Sequence, residues 1–277
     1  MPHLLSVAVD IILAGYIVWE VVRFPRRYRQ LKQDIASGVA GARLRMYRET
    51  LAFEWISVLL ALLALGFDWS KLNPKTLDLD HSPLLQQFSA AGGIDPGLLT
   101  AIVAGLAGGI VFGFIGIVII RLRANRLAAK TAAGAPAAAP NAPQPWWRKL
   151  TPDFDALIPV TPRERLVFAA VAISAGICEE IVFRGWLLGT LHGTIGLHGT
   201  ALILVAAAMF GLAHTYQRIT GVLLTGIVGA VFCVLYVATG SLLVPIALHI
   251  LMDVRFALIP ARRKQSAASF SPSRATV

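Results

Sequence analysis

Long apolar blocks alternate with short polar gaps along this chain. A helix that crosses a bilayer needs about 20 consecutive apolar residues, and several of the blocks reach or approach that length. We read seven such blocks, at about residues 4–22, 50–67, 97–120, 165–191, 199–216, 221–238 and 242–259. The pattern therefore predicts an all-α fold, a polytopic transmembrane helical bundle of about seven spans.

The gaps between the blocks suggest how the chain is divided. Residues 131–145 are rich in Ala and Pro, which is typical of a flexible linker, and Thr161 before Pro162 and Glu164 predicts a helix start. The basic segment 23–48 is expected to form an amphipathic helix on the inner membrane surface. We expect a three-span region with this basic segment, a linker with an interfacial part, a core, and a basic flexible tail, at residues 1–130, 131–160, 161–260 and 261–277.

Composition and charge agree with a membrane location. Of the 277 residues 56% are hydrophobic and only 14% are charged, whereas a soluble domain carries roughly 25% charged residues. The net charge of +10 could suggest nucleic acid, but the Lys and Arg residues cluster in the gaps between apolar blocks. That placement is typical of cytoplasmic loops facing anionic lipid. We expect no nucleic-acid partner and an integral protein of the cell inner membrane, with its N-terminus outside and its C-terminus cytoplasmic.

A few ionisable residues interrupt the apolar blocks of the C-terminal half. Such residues are costly in a bilayer and mark functional sites by default. In the fourth block Glu180 and Arg184 are four positions apart, so they share one helix face and can pair. Glu179 points about 100° away from Glu180 and can face a cavity. The alternative is an ordinary helix salt bridge at a water boundary.

Two further blocks carry histidines. His214 ends the fifth block and, alone, would be an interfacial residue; His249 and Asp253 share a face of the seventh and could simply close a helix contact. Together with Glu179 they supply what amide hydrolysis by activated water requires. Glu179 would lie about 20 Å inside the membrane, while His214 lies near Arg218 at the inner surface. A tilted or broken fourth helix, or a water-filled vestibule, would bring the groups to one depth.

Three motifs in this order resemble the CPBP family of intramembrane proteases, which includes CAAX prenyl endopeptidases of the Rce1 type and bacterial Abi-type proteins. The motifs are Glu-Glu-x-x-x-Arg at 179–184, Phe-x-x-x-His at 210–214 and His-x-x-x-Asp at 249–253. The resemblance covers about residues 162–260, and the first three blocks do not share in it.

The resemblance implies a role for each motif residue. Glu179 would activate water with the help of His214, and His249 and Asp253 would stabilise the oxyanion. Supporting positions would be held by Glu180, Arg184 and Phe210.

Asp253 departs from the Asn that many family members carry at this position. An ionised Asp cannot donate a hydrogen bond to an oxyanion, so Asp253 is protonated, orients His249 or helps to bind a cation. The family is often described as metal-dependent, and His214 and His249 would be the ligands of a divalent metal such as zinc. A metal-free, glutamate-driven mechanism is the alternative.

These observations favour an intramembrane endopeptidase that cuts a membrane-associated peptide or protein substrate. Two alternatives remain: a non-catalytic immunity or scaffold protein on the same fold, and a small proton-coupled transporter. The substrate, and whether it is prenylated, is not encoded in these residues.

Overall fold

The structure, a computed structural model, describes residues 2–72 and 153–259 together with the isolated helical positions Ile115, Ile119, Leu122 and Arg126. Over these residues the chain is helical and contains no strand, which confirms the predicted all-α class. The linker at 131–145, the tail at 261–277 and most of the third apolar block lie outside the described residues, so the predictions made for them stay predictions.

Helices in the described ranges include the apolar blocks, but the first two helices also extend into the basic segment between their blocks. The described residues also contain a π-helical segment at Ile181–Leu187 and short 3₁₀ turns at Trp69–Leu72, Asp155–Leu157, Thr215–Gln217 and Arg255–Leu258. The α-helices are α1 Pro2–Ala36, α2 Ala42–Ala64, α3 Pro162–Glu180, α4 Leu188–Gly193, α5 Gly199–Ala213, α6 Arg218–Thr239 and α7 Leu243–Val254.

Three helical stretches in the described residues are long and apolar enough to cross a membrane: Leu4–Ala36, Pro162–Gly193 and Thr215–Thr239. The apolar helix α5, Gly199–Ala213, is shorter. The assignment follows from length and composition. The total of seven spans, which also counts blocks outside the described residues, stays a prediction.

The basic segment 23–48 is not the separate surface helix that its charge pattern suggested. Helix α1 continues through it to Ala36, and α2 begins at Ala42 after a turn. The charges instead join the two helices: Arg27 binds Glu49, and Arg45 binds Asp34 at 3.1 Å. These basic side chains therefore pair with acidic residues of the neighbouring helix, whereas a separate amphipathic helix would direct them to lipid headgroups.

Helix α3 begins where its sequence predicts. The Thr161 hydroxyl accepts a hydrogen bond from the Glu164 amide at 3.1 Å, and the Glu164 carboxylate accepts one from the Thr161 amide at the same distance. With Pro162 at the first helical position, this capping box satisfies amides that would otherwise lack partners.

Close packing of helices places α3 at the centre of the bundle. Helix α3 packs against both α2 and α7, and α5 packs against α6. A Cβ added at Gly176 would lie 2.9 Å from the backbone nitrogen of Ile250, so only glycine permits the observed approach of α3 and α7. Small residues at helix contacts are a common feature of membrane bundles.

A polar cluster around Asp153 joins distant parts of the chain. Its carboxylate accepts hydrogen bonds from Tyr28 at 3.0 Å and Arg218 at 3.1 Å, and it also pairs with Lys32. Burial by itself would raise the pKa of Asp153, but the hydrogen bonds from Lys32 and Tyr28, with the charges of Lys32 and Arg218, hold it below its usual value. The cluster therefore ties α1 to the start of α6.

Candidate active site

Glu180 and Arg184 form a fully buried ion pair. Their atoms Oε1 and Nη1 are 2.9 Å apart, and the two side chains are 0% and 1% exposed. Arg184 also donates from Nη2 to the carbonyl of Gly229 on α6 at 3.1 Å, and its guanidinium lies 4.4 Å from the ring centroid of Phe210. The i, i+4 pairing expected from the sequence is present, and it links α3 to α5 and α6.

The π-helical segment begins directly after the two glutamates. Trp186 in this segment donates its indole N–H to Asp10 on α1 at 2.6 Å. Gly185 leaves room for Leu72, whose Cδ2 would lie 2.5 Å from an added Cβ. Such segments within α-helices occur often at functional sites, and here the segment lets Arg184, Gly185 and Trp186 each meet a different partner.

His249 lies between three carboxyl groups. Its Nδ1 is 2.8 Å from Oε1 of Glu180, while its Nε2 is 3.9 Å from Oε2 of Glu179 and 3.6 Å from Oδ2 of Asp253. An ionised Glu180 can only accept, so Nδ1 donates to it. The side chain of His249 is therefore fixed from the α3 side, and its other nitrogen faces Glu179 and Asp253.

His214 presents one nitrogen to the same carboxylate. Its Nδ1 is 2.9 Å from the carbonyl oxygen of Phe210, and because a carbonyl cannot donate, Nδ1 carries the proton of this hydrogen bond. In the neutral ring Nε2 is then an acceptor, and it lies 4.0 Å from Oε2 of Glu179. The C-terminal end of α5 thus delivers an imidazole lone pair towards Glu179.

Glu179 is the point where the two histidines converge. Its Oε2 is buried, lacks a hydrogen-bond partner, and lies 3.9 Å from one imidazole nitrogen and 4.0 Å from the other. Distances near 4 Å are too long for direct hydrogen bonds but suit a water or a reacting group between the atoms. Glu179 and His214, which the sequence placed at different depths in the membrane, therefore lie close together in the folded chain.

A cavity of about 120 Å³ lies beside Glu179 and His214. Its walls are mainly apolar, and they come from α1, α2, α3, the π-helical segment and the end of α5. The site therefore has the two features expected of a ligand pocket, which are a mostly apolar surface and a few convergent polar groups.

Two acidic residues at this cavity, Glu20 of α1 and Glu54 of α2, were missing from the sequence-based set. Glu54 of α2 lines the cavity and is only 4% exposed. It lies within the second apolar block, so the rule that singled out Glu179 would also have found it. It was overlooked because α2 belongs to no recognised motif.

The donor set gives no support to the metal expectation. Within residues 2–72 and 153–259, no group of three or more His, Cys, Asp or Glu side chains is arranged to hold a metal ion. We therefore derive no catalytic step through zinc or another metal.

The fold and site together define an integral membrane protein with a partly buried glutamate–histidine centre. Residues 161–255 match the family model described as "Type II CAAX prenyl endopeptidase Rce1-like". The match falls on the part of the chain that holds the three motifs, and it confirms the resemblance that they indicated. No curated protein and no solved structure matches the chain.

Proposed function

We propose that the protein is an intramembrane endopeptidase that hydrolyses a membrane-associated peptide or protein with a water activated by Glu179. The single observation that carries this proposal is the unpartnered Oε2 of Glu179, which faces two imidazole nitrogens at 3.9 and 4.0 Å beside a cavity. The Rce1-like domain at residues 161–255 supports the same class of reaction.

Water activation uses Glu179 and His214. The carboxylate of Glu179 takes a proton from water as the oxygen attacks the peptide carbonyl carbon, and the proton then passes to the leaving amine. The Nε2 lone pair of His214 can accept a hydrogen bond from the same water or share its proton. No side-chain nucleophile is needed, so the reaction has no covalent enzyme intermediate.

Oxyanion stabilisation falls to His249. Because Nδ1 already donates to Glu180, the ring can donate to an oxyanion only from a protonated Nε2, which means that it acts as the imidazolium ion. The Glu180–Arg184 pair holds the ring in place from behind. Glu180 and Arg184 are thus positioning residues that act through His249.

Asp253 orients His249 in this proposal. Its Oδ2 lies 3.6 Å from Nε2 of His249, and its side chain is 35% exposed. A carboxylate at this position balances the charge of the imidazolium ion without needing a proton of its own. Of the three roles that the sequence left open, orientation of His249 agrees best with this contact.

The decisive test is the Glu179→Gln variant of the full chain, expressed in cells in place of the wild type. The amide cannot take a proton from water, so cleavage should fall by about 10²–10⁴-fold while the variant stays folded. The measurement is proteomics of membrane fractions, in which uncut substrate termini should accumulate relative to wild type.

Glu49→Gln is the matched control. Glu49 is a glutamate on α2 that pairs with Arg27 away from the cavity, so its replacement should leave the pattern of termini unchanged. Identical termini in wild type and Glu179→Gln would end the proposal and favour a non-catalytic scaffold.

A further inference from the structure

The wall of the cavity that faces Glu179 comes from helices outside the Rce1-like domain. Helices α1 and α2 end before residue 161, yet they contribute Ile17, Phe24 and Phe53 to the lining. The hydrolytic groups and the opposite wall therefore belong to different parts of the chain. A substrate between them would contact both.

Glu54 is the acidic group of this wall that has no counter-ion. It is 4% exposed, and its Oε2 has no hydrogen-bond partner. No Lys, Arg or His of the described chain lies within ion-pair distance of it. Glu20, the other carboxylate that α1 and α2 bring to the cavity, is already bound by Arg23 at 2.6 and 3.0 Å.

A buried carboxyl group in an apolar cavity is costly unless something binds to it. Buried polar atoms in proteins nearly always have a partner, and each exception calls for an explanation. Removing a charge from water costs several kcal/mol when no opposite charge compensates it. At the edge of a binding cavity, the missing partner is most simply supplied by the ligand.

The surroundings of Glu54 favour a particular ligand group. Phe24, Phe53 and Ile17 give apolar and aromatic surface to the same cavity. Lys and Arg side chains combine an apolar stem with a cationic head, so the stem can lie on such a surface while the head reaches a carboxylate. Aromatic rings also attract cations directly.

We propose that Glu54 binds a lysine or arginine side chain of the substrate close to the peptide bond that is cut. The inference rests on the proposed peptidase function and adds a substrate preference to it. Glu54 is then a specificity-determining residue supplied by α2, and the cavity selects a basic residue in an apolar peptide.

Binding can be tested without any cleavage. The protein is the full chain carrying Glu179→Gln, in nanodiscs of zwitterionic phosphatidylcholine so that lipid charge does not attract the probes. The probes are N-palmitoylated nonapeptides of leucine and serine that carry lysine, norleucine or aspartate at one position. That position differs from one set of peptides to the next.

For at least one position the lysine peptide should bind about 10- to 30-fold more tightly than its norleucine partner. The double variant Glu179→Gln with Glu54→Gln should show a ratio of about 2-fold or less, because the amide at position 54 carries no charge. Adding Glu54→Lys should reverse the preference towards an aspartate peptide. Adding Glu49→Gln, on the same helix, should leave the ratio as it was.

Equal affinities for lysine and norleucine at every position would overturn the inference, and so would no measurable binding of any peptide. A lysine preference that survives Glu54→Gln would overturn it as well.

Cleavage of the same peptides by the chain with Glu179 intact is measured separately. Lysine-selective binding without cleavage would contradict the peptidase function alone, and cleavage without lysine selectivity would contradict the role of Glu54 alone.

Discussion

Arg184 is a buried cation whose partners come from three helices. It pairs with Glu180 at 2.9 Å, donates to the carbonyl of Gly229 and lies over Phe210. A buried ion pair adds little net stability compared with apolar residues, but removal of one partner leaves a charge without compensation. The pair therefore makes the fold depend strongly on either residue alone.

Replacement of Arg184 by Met should lower the free energy of unfolding by about 3–5 kcal/mol, because Glu180 loses its cation in a fully buried place. The double variant Arg184→Met with Glu180→Gln should regain at least half of that loss. Unfolding of the detergent-solubilised chain by SDS titration gives both values.

Arg45→Met is the matched control for this experiment. Arg45 pairs with Asp34 at 3.1 Å, but its side chain is 55% exposed, so the change should be about 1 kcal/mol or less. If the double variant were no more stable than Arg184→Met alone, the buried pair would not be the cause of the loss.

At the level of single residues the sequence was informative because charged groups stand out in apolar blocks. Glu179, Glu180 and Arg184 could be assigned to different faces from their spacing alone. The meeting of Glu179 with His214 could not be derived, since 35 positions separate them and only the packing of α3 against other helices brings them to 4.0 Å. Glu54 stands out in its apolar block by the same rule, but only the cavity shows that it lies at the site.

Individual helices show both the strength and the limit of sequence reading. The start of α3 followed from Thr161, Pro162 and Glu164, which are local signals. The π-helical segment at Ile181–Leu187 has no comparable signal, because Arg184, Gly185 and Trp186 are fixed by residues far away in the chain. The same limitation applies to α1, whose basic half is fixed by ion pairs to α2.

The contact between α3 and α7 yields a prediction about Gly176. Gly176→Ala should push α7 away, because the new Cβ would lie 2.9 Å and 3.2 Å from backbone atoms of Ile250, which cannot turn aside. His249 is the neighbour of Ile250, so its hydrogen bond to Glu180 should lengthen and peptide cleavage should fall by about 10²-fold. Turnover of a cleaved peptide in proteoliposomes measures the effect.

Gly189→Ala is the control for that prediction. A Cβ at this position in α4 would meet no atom within 4 Å, so the variant should keep its activity and be up to about 1 kcal/mol more stable. Full activity of Gly176→Ala would mean that α3 and α7 can separate without disturbing His249.

On the scale of the whole molecule, the Asp153 cluster gives a prediction for acid pH. The pKa of Asp153 is lower in the folded chain than in the unfolded one, so the folded chain releases this proton more readily. The stabilisation is therefore complete above the ordinary Asp value of about 3.9 and is lost as the pH falls below it.

The test compares wild type with Asp153→Asn by unfolding at pH 6 and at pH 3. Wild type should be the more stable protein at pH 6, and the difference should shrink at pH 3 because Asp153 becomes neutral and loses its attraction for Lys32 and Arg218. A difference that stays constant between the two pH values would show that the charge of Asp153 does not contribute.

The overall class of the molecule was readable from composition, since 56% hydrophobic residues in long blocks leave few alternatives to a helical membrane protein. The packing of the blocks against one another could not be predicted from the sequence. Apolar helices are chemically alike, and which of them pack together depends on close fits such as Gly176 against Ile250.

A pocket built from two parts of the chain allows those parts to diverge at different rates. The groups to which we assign hydrolysis lie within residues 161–255, while α1 and α2 close the pocket from outside that range. Replacements on α1 and α2 could then retune which peptides enter without disturbing the chemistry. Proteins grouped by the matched domain alone would accordingly share the proposed reaction but differ in the peptides that they accept.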